Sequence, residues 1–285
     1  MNVIGPDNSH HQDHTLDYAK VAKTCRLAIH KANEFGADER FAERWKAMAA
    51  AGLVRGAYDF LLLFPTAPTG ATQAAQYLGI VKAAGGFAPE DLQPIADIER
   101  GPADPPNRHP NQDATRASTI ERINSWAAAI ESADLEPTVY GRAMLKELHI
   151  TAADCPKVKH VWAARYNNEL GTPAVTGWPD SMLRAWQYTN GTANFTSMPK
   201  EIPGIGKGDV SVIVGKLSAW QQMGEEDELS EEDRKRLSAL EAAMKRHDVF
   251  LNALTDKLGQ KGAPDKPATP VGAGQRVAKA TKKAE

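Results

Sequence analysis

Two acidic residues placed two positions apart, Asp97 and Glu99, are the first candidates for catalysis in this sequence. They close the run Leu92–Arg100, in which Gln93–Ile98 has the composition of a buried strand. Residues two apart on a strand point to the same side, so both acids would face one cavity with their backbones roughly 6–7 Å apart. Such carboxylate pairs catalyse glycoside hydrolysis, in which one acid protonates the leaving oxygen and the other attacks the sugar carbon or stabilises its charge. On this segment alone, two solvated acids at a strand end are the alternative.

The elements that would position these acids alternate between strands and helices over residues 1–222. This alternation is typical of βα units that build a parallel sheet or barrel. We predict eight strands, near Val3–Ser9, Arg26–Ala32, Val54–Leu62, Gln93–Ile98, Thr138–Tyr140, His160–Ala164, Arg184–Tyr188 and Asp209–Val214. We predict five helices between them, Leu16–Lys23, Arg40–Ala51, Ala67–Ala84, Ala114–Ala133 and Arg142–Leu148. The last three strands have only short connections, so the pattern indicates an α/β barrel whose second part lacks helices, with catalytic groups at the carboxyl ends of its strands.

Further acids at the predicted strand ends could join the pair. Asp7 lies near the end of the first strand and Asp209 at the start of the eighth, and these two strands would be neighbours in a closed barrel. Several acids around one mouth repel each other, and repulsion together with burial raises the pKa of at least one of them. A carboxylic acid kept protonated near neutral pH in this way can serve as a general acid.

Aromatic residues in or just after the predicted strands suggest a class of ligand. Sugar rings offer flat C–H faces that stack on aromatic rings, so a groove lined with Tyr and Trp suits a glycan. Packing in the core is the alternative, and it is the better interpretation for any single residue. The set consists of Tyr58, Tyr140, Trp162, Tyr166, Trp178, Trp186 and Tyr188.

Composition narrows the class of protein. The 285 residues are 42% hydrophobic with a net charge of -2, which predicts an ordinary globular protein and argues against nucleic-acid binding over its whole surface. Cys25 and Cys155 are too few for a disulfide framework, so we predict free thiols. No stretch approaches the roughly 20 apolar residues of a membrane span, and the start of the chain lacks the basic and apolar regions of a signal peptide. We therefore expect a soluble protein that is made in the cytoplasm and that needs release if it acts outside the cell. We also expect no cofactor.

Seven segments in order over about residues 3–218 resemble the strands of glycoside hydrolase family 25 lysozymes. Gly5–Gln12 reads Gly-Pro-Asp-Asn-Ser-His-His-Gln, similar to the family's typical Gly-Ile-Asp-Val-Ser-His-His-Gln. Ile95–Glu99 resembles the family's Leu-Asp-x-Glu strand. The remaining matches are Arg26–Glu34, Ala51–Phe60, Trp162–Tyr166, Ala185–Tyr188 and Gly208–Ile213. Each match is weak alone, but seven in the family's order are specific.

The resemblance implies a flattened, TIM-like (β/α)5β3 barrel and an N-acetylmuramidase. Such an enzyme cuts the β-1,4 bond between N-acetylmuramic acid and N-acetylglucosamine in peptidoglycan, with retention of configuration. Carried over by position, Glu99 is the general acid/base, Asp97 the neighbouring acid, and Asp7 and Asp209 the flanking acids. Whether Asp97 attacks the sugar carbon or orients the substrate's N-acetyl group as nucleophile stays open. The candidate subsite residues are Tyr58, Tyr140, Trp162, Tyr166 and Trp186.

The sequence departs from the family's pattern at several positions. Pro6 and Asn8 replace aliphatic residues of the first strand, and Asn33-Glu34-Phe35 stands where Thr-Glu-Gly is usual. Asp59 replaces the usual His of the third strand, which predicts one more acid at the mouth of the barrel. The loop Gly101–Gln112 is longer than expected. These departures bear on substrate details and pH optimum more than on the reaction.

A histidine-rich run follows the first predicted strand. His10, His11, Asp13 and His14 could be interpreted as a metal cluster. However, His10 and His11 are adjacent on a strand end and would point in opposite directions. The resemblance accounts for this run without a metal, so we predict no metal site.

The composition changes after residue 222. We predict a catalytic domain over 1–222, an acidic linker over 223–229, a helix over 230–259 and a disordered basic tail over 260–285. Apolar residues in the helix alternate at spacings of three and four, a heptad pattern of about three repeats with one polar member. The helix either packs on the barrel or forms a coiled coil, as a homo-oligomer or with a partner helix. The heptad positions are Leu237, Leu240, Met244, His247, Leu251, Leu254 and Leu258.

Two functions from different classes are compatible with the sequence. The favoured one is a muramidase that acts on peptidoglycan glycan strands, as a phage endolysin or a lysozyme carried in the virion. The other is a non-catalytic glycan-binding or structural virion protein built on a lysozyme-like barrel. All four acids implied by the resemblance are present, which favours the enzyme.

Overall fold

The computed structural model describes residues 3–11, 16–101, 111–166, 175–192 and 198–222. The predicted linker, coiled-coil helix and basic tail therefore lie outside the described residues, and their assignment stays a prediction. The same holds for Asp13 and His14 of the histidine-rich run.

Eight strands close into a barrel, which confirms the predicted fold class. Their order around the barrel is β1-β10-β7-β6-β5-β4-β3-β2. All neighbours are parallel except at β10, which runs antiparallel to both β1 and β7. The barrel strands are β1 Ile4–Asn8, β2 Leu27–Asn33, β3 Val54–Phe60, β4 Ile95–Asp97, β5 Thr138–Tyr140, β6 His160–Ala164, β7 Leu183–Asn190 and β10 Asp209–Ile213.

Five α-helices follow the first five strands, as the sequence predicts. They are α1 Tyr18–Val21, α2 Phe41–Ala50, α3 Gly70–Ala83, α4 Arg116–Glu131 and α5 Ala143–Glu147. Local chemistry fixes where the longer ones begin. The Thr69 hydroxyl accepts a hydrogen bond from the Thr72 amide at 3.2 Å before α3, and Thr115 with Ser118 forms a capping box before α4.

Strand alternation divides the apolar side chains into two layers. One layer lies between the barrel and its helices, and Trp45, Tyr77 and Trp126 contribute to it from α2, α3 and α4. The other fills the inside of the barrel and includes Ile95 and Trp162. Polar side chains toward the carboxyl ends of the strands complete the interior, which leaves a polar cavity above an apolar floor.

The floor of the barrel is sealed by the segment after β10. The indole of Trp220 is fully buried in the inner layer and donates from Nε1 to Thr138 Oγ1 at 2.9 Å. The backbone of Gln222 donates to Asp91 O at 2.8 Å, and Gln93 N donates to Trp220 O at 2.9 Å. These bonds join the last described segment to the loop before β4, the strand that carries Asp97.

One hairpin was not predicted from the sequence. A two-stranded hairpin, β8 Glu201–Ile202 with β9 Gly206–Lys207, lies between β7 and β10. Cys25 and Cys155 are buried free thiols, as expected. Among the described residues, no helix is both long and apolar enough to span a membrane.

Candidate active site

A polar cavity of about 130 Å³ opens at the carboxyl ends of the parallel strands. It brings together all four acids singled out in the sequence and four of the five aromatic candidates. Its lining residues are Asp7, Tyr58, Asp97, Glu99, Tyr140, Trp162, Tyr166, Gln187 and Asp209.

Strand register places all four acids on the inner side of the barrel wall. Asp97 is the last residue of β4, and Glu99 follows two positions later, so both point into the cavity. Asp7 of β1 pairs directly with Asp209 of β10. Because β10 is antiparallel, its first residue lies at the same end of the barrel as the last residues of the parallel strands.

A buried asparagine fixes the backbone that carries Glu99. Asn111 Nδ2 donates to Glu99 O at 2.8 Å and to Leu61 O at 2.9 Å, and Asn111 Oδ1 accepts from Leu63 N at 2.7 Å. Asn111 thus ties the end of β4 to the end of β3 and limits how far the Glu99 backbone can move. The sequence marked the loop of Asn111 as unusual but gave no sign that this residue has a positioning role.

Burial and mutual repulsion raise the pKa values of the catalytic candidates. Burial and then the charges of Asp209 and Glu34 raise the pKa of Glu99 to about 7. The pKa of Asp97 is raised well above its usual value, first by burial and then by Glu99 and Asp7. Glu99 is the more accessible of the two, since Asp97 is only 5% exposed. Because the pKa values of both carboxyl groups are raised, the pair retains a proton at neutral pH.

The flanking acids add to this coupled set. Burial raises the pKa of Asp209 to about 6. Burial and the Asp209 charge raise the pKa of Asp7 well above its usual value, although a hydrogen bond from Gln187 opposes this. Groups that interact this strongly release their protons as a set. The protonation of each acid in the cavity therefore depends on the protonation of its neighbours.

Gln187 of β7 connects the acids to the aromatic wall. Its Nε2 lies 2.9 Å from both carboxylate oxygens of Asp7, and its Oε1 accepts from the Tyr140 hydroxyl at 2.7 Å. The Tyr166 hydroxyl donates to the same oxygen. This amide fixes the orientation of Asp7 and two tyrosines at once. The sequence analysis missed it, although its position between two aromatic residues of a strand was a usable signal.

Trp186 does not line the cavity, in contrast to its prediction as a subsite residue. On β7 the side chain of Gln187 points inward, so that of Trp186 must point outward. Trp186 packs in the layer between barrel and helices, edge-on to Tyr188 at 6.2 Å between ring centroids. Tyr58, Tyr140, Trp162 and Tyr166 do line the cavity.

Asp59 also lies away from the mouth, so the prediction of an additional acid there was wrong. It is fully buried on the outer face of β3, where Asn33 Nδ2 and Trp126 Nε1 each donate to its carboxylate at 2.9 Å. Burial raises the pKa of Asp59 to about 7, and the two donors oppose that shift. Asp59 therefore links β2, β3 and α4 and takes no part in the cavity.

A buried lysine introduces the opposite charge beside the acids. Lys31 of β2 is 4% exposed and forms an ion pair with Glu34. Its charge lowers the pKa values of Asp97 and Glu99, against the larger effects that raise them. Lys31 therefore moderates the proton affinity of the pair.

In the described part of the histidine-rich run, His10 forms hydrogen bonds with Asp38. His10 Nδ1 lies 2.7 Å from Asp38 Oδ2, and the His10 amide donates to the same oxygen at 3.0 Å. Within the described ranges, no group of three or more His, Cys, Asp or Glu side chains could hold a metal ion.

Solved structures share this fold. The muramidase from Trichobolus zukalii has 22% identity and a TM-score of 0.59, and covers 77% of this chain and 99% of its own. The bacterial lysozyme from Streptomyces coelicolor has 21% identity and a TM-score of 0.59, with coverage of 77% and 95%. A family GH25 lysozyme from Aspergillus fumigatus has 20% identity and a TM-score of 0.60, with coverage of 79% and 100%. No curated protein sequence matches the chain.

The family model described as glycosyl hydrolases family 25 matches residues 6–195, which is more than half of the chain. That range contains Asp7, Asp97 and Glu99 together with every aromatic residue of the cavity. The match agrees with the barrel and with the resemblance recognised in the sequence. The chain belongs to the glycosyl hydrolases of family 25, and it is a glycosidase.

Proposed function

We propose that this glycosidase is an N-acetylmuramidase of peptidoglycan. It cleaves the β-1,4 bond between N-acetylmuramic acid and N-acetylglucosamine, with Glu99 as general acid/base and Asp97 as its partner. The observation that carries the proposal is the pKa of Glu99, about 7, inside a cavity that also holds Asp97 and an aromatic wall. A carboxylic acid with that pKa is protonated in a useful fraction at neutral pH and can donate its proton to a leaving sugar.

In the first step the bond between C1 of the muramic acid ring and the bridging oxygen breaks. Glu99 transfers its proton to that oxygen, which leaves as a sugar hydroxyl. Positive charge develops on C1, and the neighbouring carboxylates stabilise it electrostatically. In the second step water attacks C1 and displaces the oxygen that bonded to C1 in the first step, from Asp97 or from the substrate's acetyl group. The ionised Glu99 accepts a proton from that water, which regenerates the acid.

The partner of Glu99 has two candidate roles. An ionised Asp97 attacks C1 directly, or it holds the substrate's N-acetyl group so that the acetyl oxygen attacks C1. Asp97 Oδ1 is a buried acceptor without a hydrogen-bond partner among the described residues. An amide N–H from the substrate would satisfy such an acceptor, which supports the orienting role.

Analysis of the products tests the bond specificity. Purified peptidoglycan is digested with the wild-type protein, and mass spectrometry after borohydride reduction identifies the sugar at the new reducing end. A muramidase yields reduced N-acetylmuramic acid. Reduced N-acetylglucosamine would assign the enzyme to the other glycosidic bond, and intact glycan across pH 4–8 would favour the non-catalytic glycan binder.

A substitution at the proposed acid tests its role. Glu99→Gln keeps the shape of the side chain but removes the transferable proton, so kcat should fall by at least about 10²–10⁴-fold. The matched control is Glu43→Gln, because Glu43 lies on α2 with a 74% exposed side chain and should tolerate the change without loss of activity. Near-normal activity of Glu99→Gln, with an unchanged thermal unfolding midpoint, would remove Glu99 from this role.

A further inference from the structure

Phe35 occupies an unusual position at the end of β2. Its side chain is 66% exposed, and its backbone φ is 55°, in the left-handed region. Glu34 N donates to Gly36 O at 2.9 Å, and Asn33 bridges to Ala37, so Phe35 lies at the tip of a tight turn. A left-handed conformation is strained for a bulky residue, and exposure of an apolar ring to water is also unfavourable. Neither cost is offset by burial of the ring.

The exposed aromatic side chains lie on opposite sides of the barrel mouth. Among the described residues, Phe35 and Tyr166 are the exposed large hydrophobic ones. Phe35 follows β2 and Tyr166 follows β6, and these strands are four positions apart in a closed ring of eight. The line that joins them therefore crosses the mouth, where the acids of the cavity lie.

Hollows lie on both sides of the catalytic cavity. On the β6 side a cavity of about 590 Å³ shares Glu99, Tyr140 and Tyr166 with the catalytic cavity. On the β2 side a cavity of about 280 Å³ is lined by Lys31 and Glu34 among others. Glu34, which precedes Phe35 in the turn, lies close enough for its charge to raise the pKa of Glu99. Hollows are thus present on the β2 side and on the β6 side of the catalytic cavity.

We propose that Phe35 is the platform of a distal sugar subsite, where its ring stacks on the C–H face of a pyranose in a glycan strand that crosses the mouth from the β2 side to the β6 side. This inference rests on the proposed function, because it assigns the path of the same polysaccharide. A rigid aromatic ring gains contact area at little conformational cost, and a turn held by backbone hydrogen bonds presents it toward the solvent.

Oligosaccharides of defined length test whether Phe35 binds a distal sugar. The probes are a tetrasaccharide and an octasaccharide of peptidoglycan glycan without stem peptides. Because the proposed platform is a distal subsite, only the longer chain should reach from the cleavage site to Phe35. Phe35→Ala should raise KM for the octasaccharide about three- to tenfold, the effect of losing one aromatic contact, and leave kcat and the tetrasaccharide KM unchanged. Phe35→Trp should retain the wild-type KM for both.

A glycine substitution separates binding from stability. Phe35→Gly relieves the left-handed strain, so it should raise the thermal unfolding midpoint while it weakens octasaccharide binding as Phe35→Ala does. His149→Gly is the matched control, because His149 is also exposed with a left-handed φ of 50° but follows α5, in the connection that leads to β6, rather than a strand end. It should relieve similar strain without altering either KM.

The outcomes distinguish this inference from the proposed function. If the wild type leaves both oligosaccharides intact, the proposed function fails. If the wild type cleaves both and Phe35→Ala retains the wild-type KM for the octasaccharide, the platform alone is overturned. A loss of equal size on both substrates would also overturn it, because a distal subsite cannot affect a chain too short to reach it.

Discussion

At the scale of single residues, the proton affinity of Glu99 results from opposing contributions. Burial and the negative charges of Asp209 and Glu34 raise the pKa of Glu99, whereas the positive charge of Lys31 lowers it. The sum places the pKa at about 7, where an acid is both protonated and able to release its proton. Each charged neighbour therefore affects activity through the pKa of Glu99, which can be measured.

The alkaline limb of the pH profile, in which activity falls as the pH rises, should follow the ionisation of Glu99. A general acid works only when protonated, so kcat/KM should fall as the pH rises through about 7, the pKa of Glu99. Asp209→Asn removes a negative charge, which makes ionisation of Glu99 easier and should move the limb to lower pH by roughly one pH unit. Lys31→Gln removes a positive charge and should move it to higher pH. Full pH profiles of kcat/KM for the three proteins measure these shifts.

The signs of the two shifts are the decisive result. A structural disturbance would lower activity at every pH and leave the midpoint of the limb in place. Shifts in the same direction for Asp209→Asn and Lys31→Gln would contradict the electrostatic account. Circular dichroism at each pH confirms that the variants remain folded.

The acids could be predicted from the sequence, because strand spacing alone places Asp97 and Glu99 on one side. Other side chains could not be placed, because the phase of a strand decides which residues face inward. On β7 the aromatic Trp186 attracted the prediction, but Gln187 holds the inward position. On β3 the outward position of Asp59 follows from the inward position of Tyr58. Both wrong predictions were based on the type of the residue, whereas the alternation of side chains along the strand decides which residues face the cavity.

At the scale of elements, the helices hold the strand ends in place through close packing. The first turn of α3 lies directly against α4, since a Cβ built on Gly70 would come within 2.0 Å of Arg122 O. Arg122 in turn donates from Nη2 to Pro65 O and to Ala67 O at 3.0 Å and 2.8 Å. The loop after β3 is thereby fixed to α4, so this contact supports the wall of the site.

Two glycines of α3 test this packing with the same substitution. Gly70→Ala forces a methyl group against backbone of α4 and should lower the free energy of unfolding by about 1–3 kcal/mol. Gly79→Ala meets no atom within 4 Å and lies on the exposed side of the helix. It should raise the free energy of unfolding by about 1 kcal/mol, since alanine favours a helix more than glycine. Urea unfolding of both variants measures the difference, and changes of equal sign would refute the close contact.

Elements in which apolar residues recur at helical or strand spacing could be predicted from the sequence, and elements without such a pattern could not. The five helices and eight barrel strands have runs of apolar residues at helical or strand spacing, and each was found within a few residues of its observed bounds. The β8–β9 hairpin consists of two-residue strands, which are too short to show alternation. The positioning role of Asn111 depends on contacts with β3, which no local pattern reports.

At the scale of the whole molecule, the site depends on closure of the barrel. The antiparallel β10 joins β1 to β7, which brings Asp209 beside Asp7 and places Gln187 in the same cavity. The segment 217–222 then seals the opposite end. Trp220 fills the floor, so Trp220→Ala should leave a cavity and cost about 3–5 kcal/mol of stability. Closure at one end thus supports the geometry at the other.

The position of this seal predicts where the chain can be shortened. A protein that ends at Gln222 keeps Trp220 and the backbone bonds to the loop before β4, so it should retain full glycosidase activity and the same unfolding midpoint. A protein that ends at Val214 loses them and should unfold at a much lower temperature, with loss of activity. Sedimentation of the full chain and the protein ending at Gln222 also tests the predicted coiled coil over 230–259. A larger mass per particle only for the full chain would support self-association, whereas monomers in both cases would argue against it. Loss of activity on shortening to Gln222 would instead show that the barrel needs residues beyond its floor.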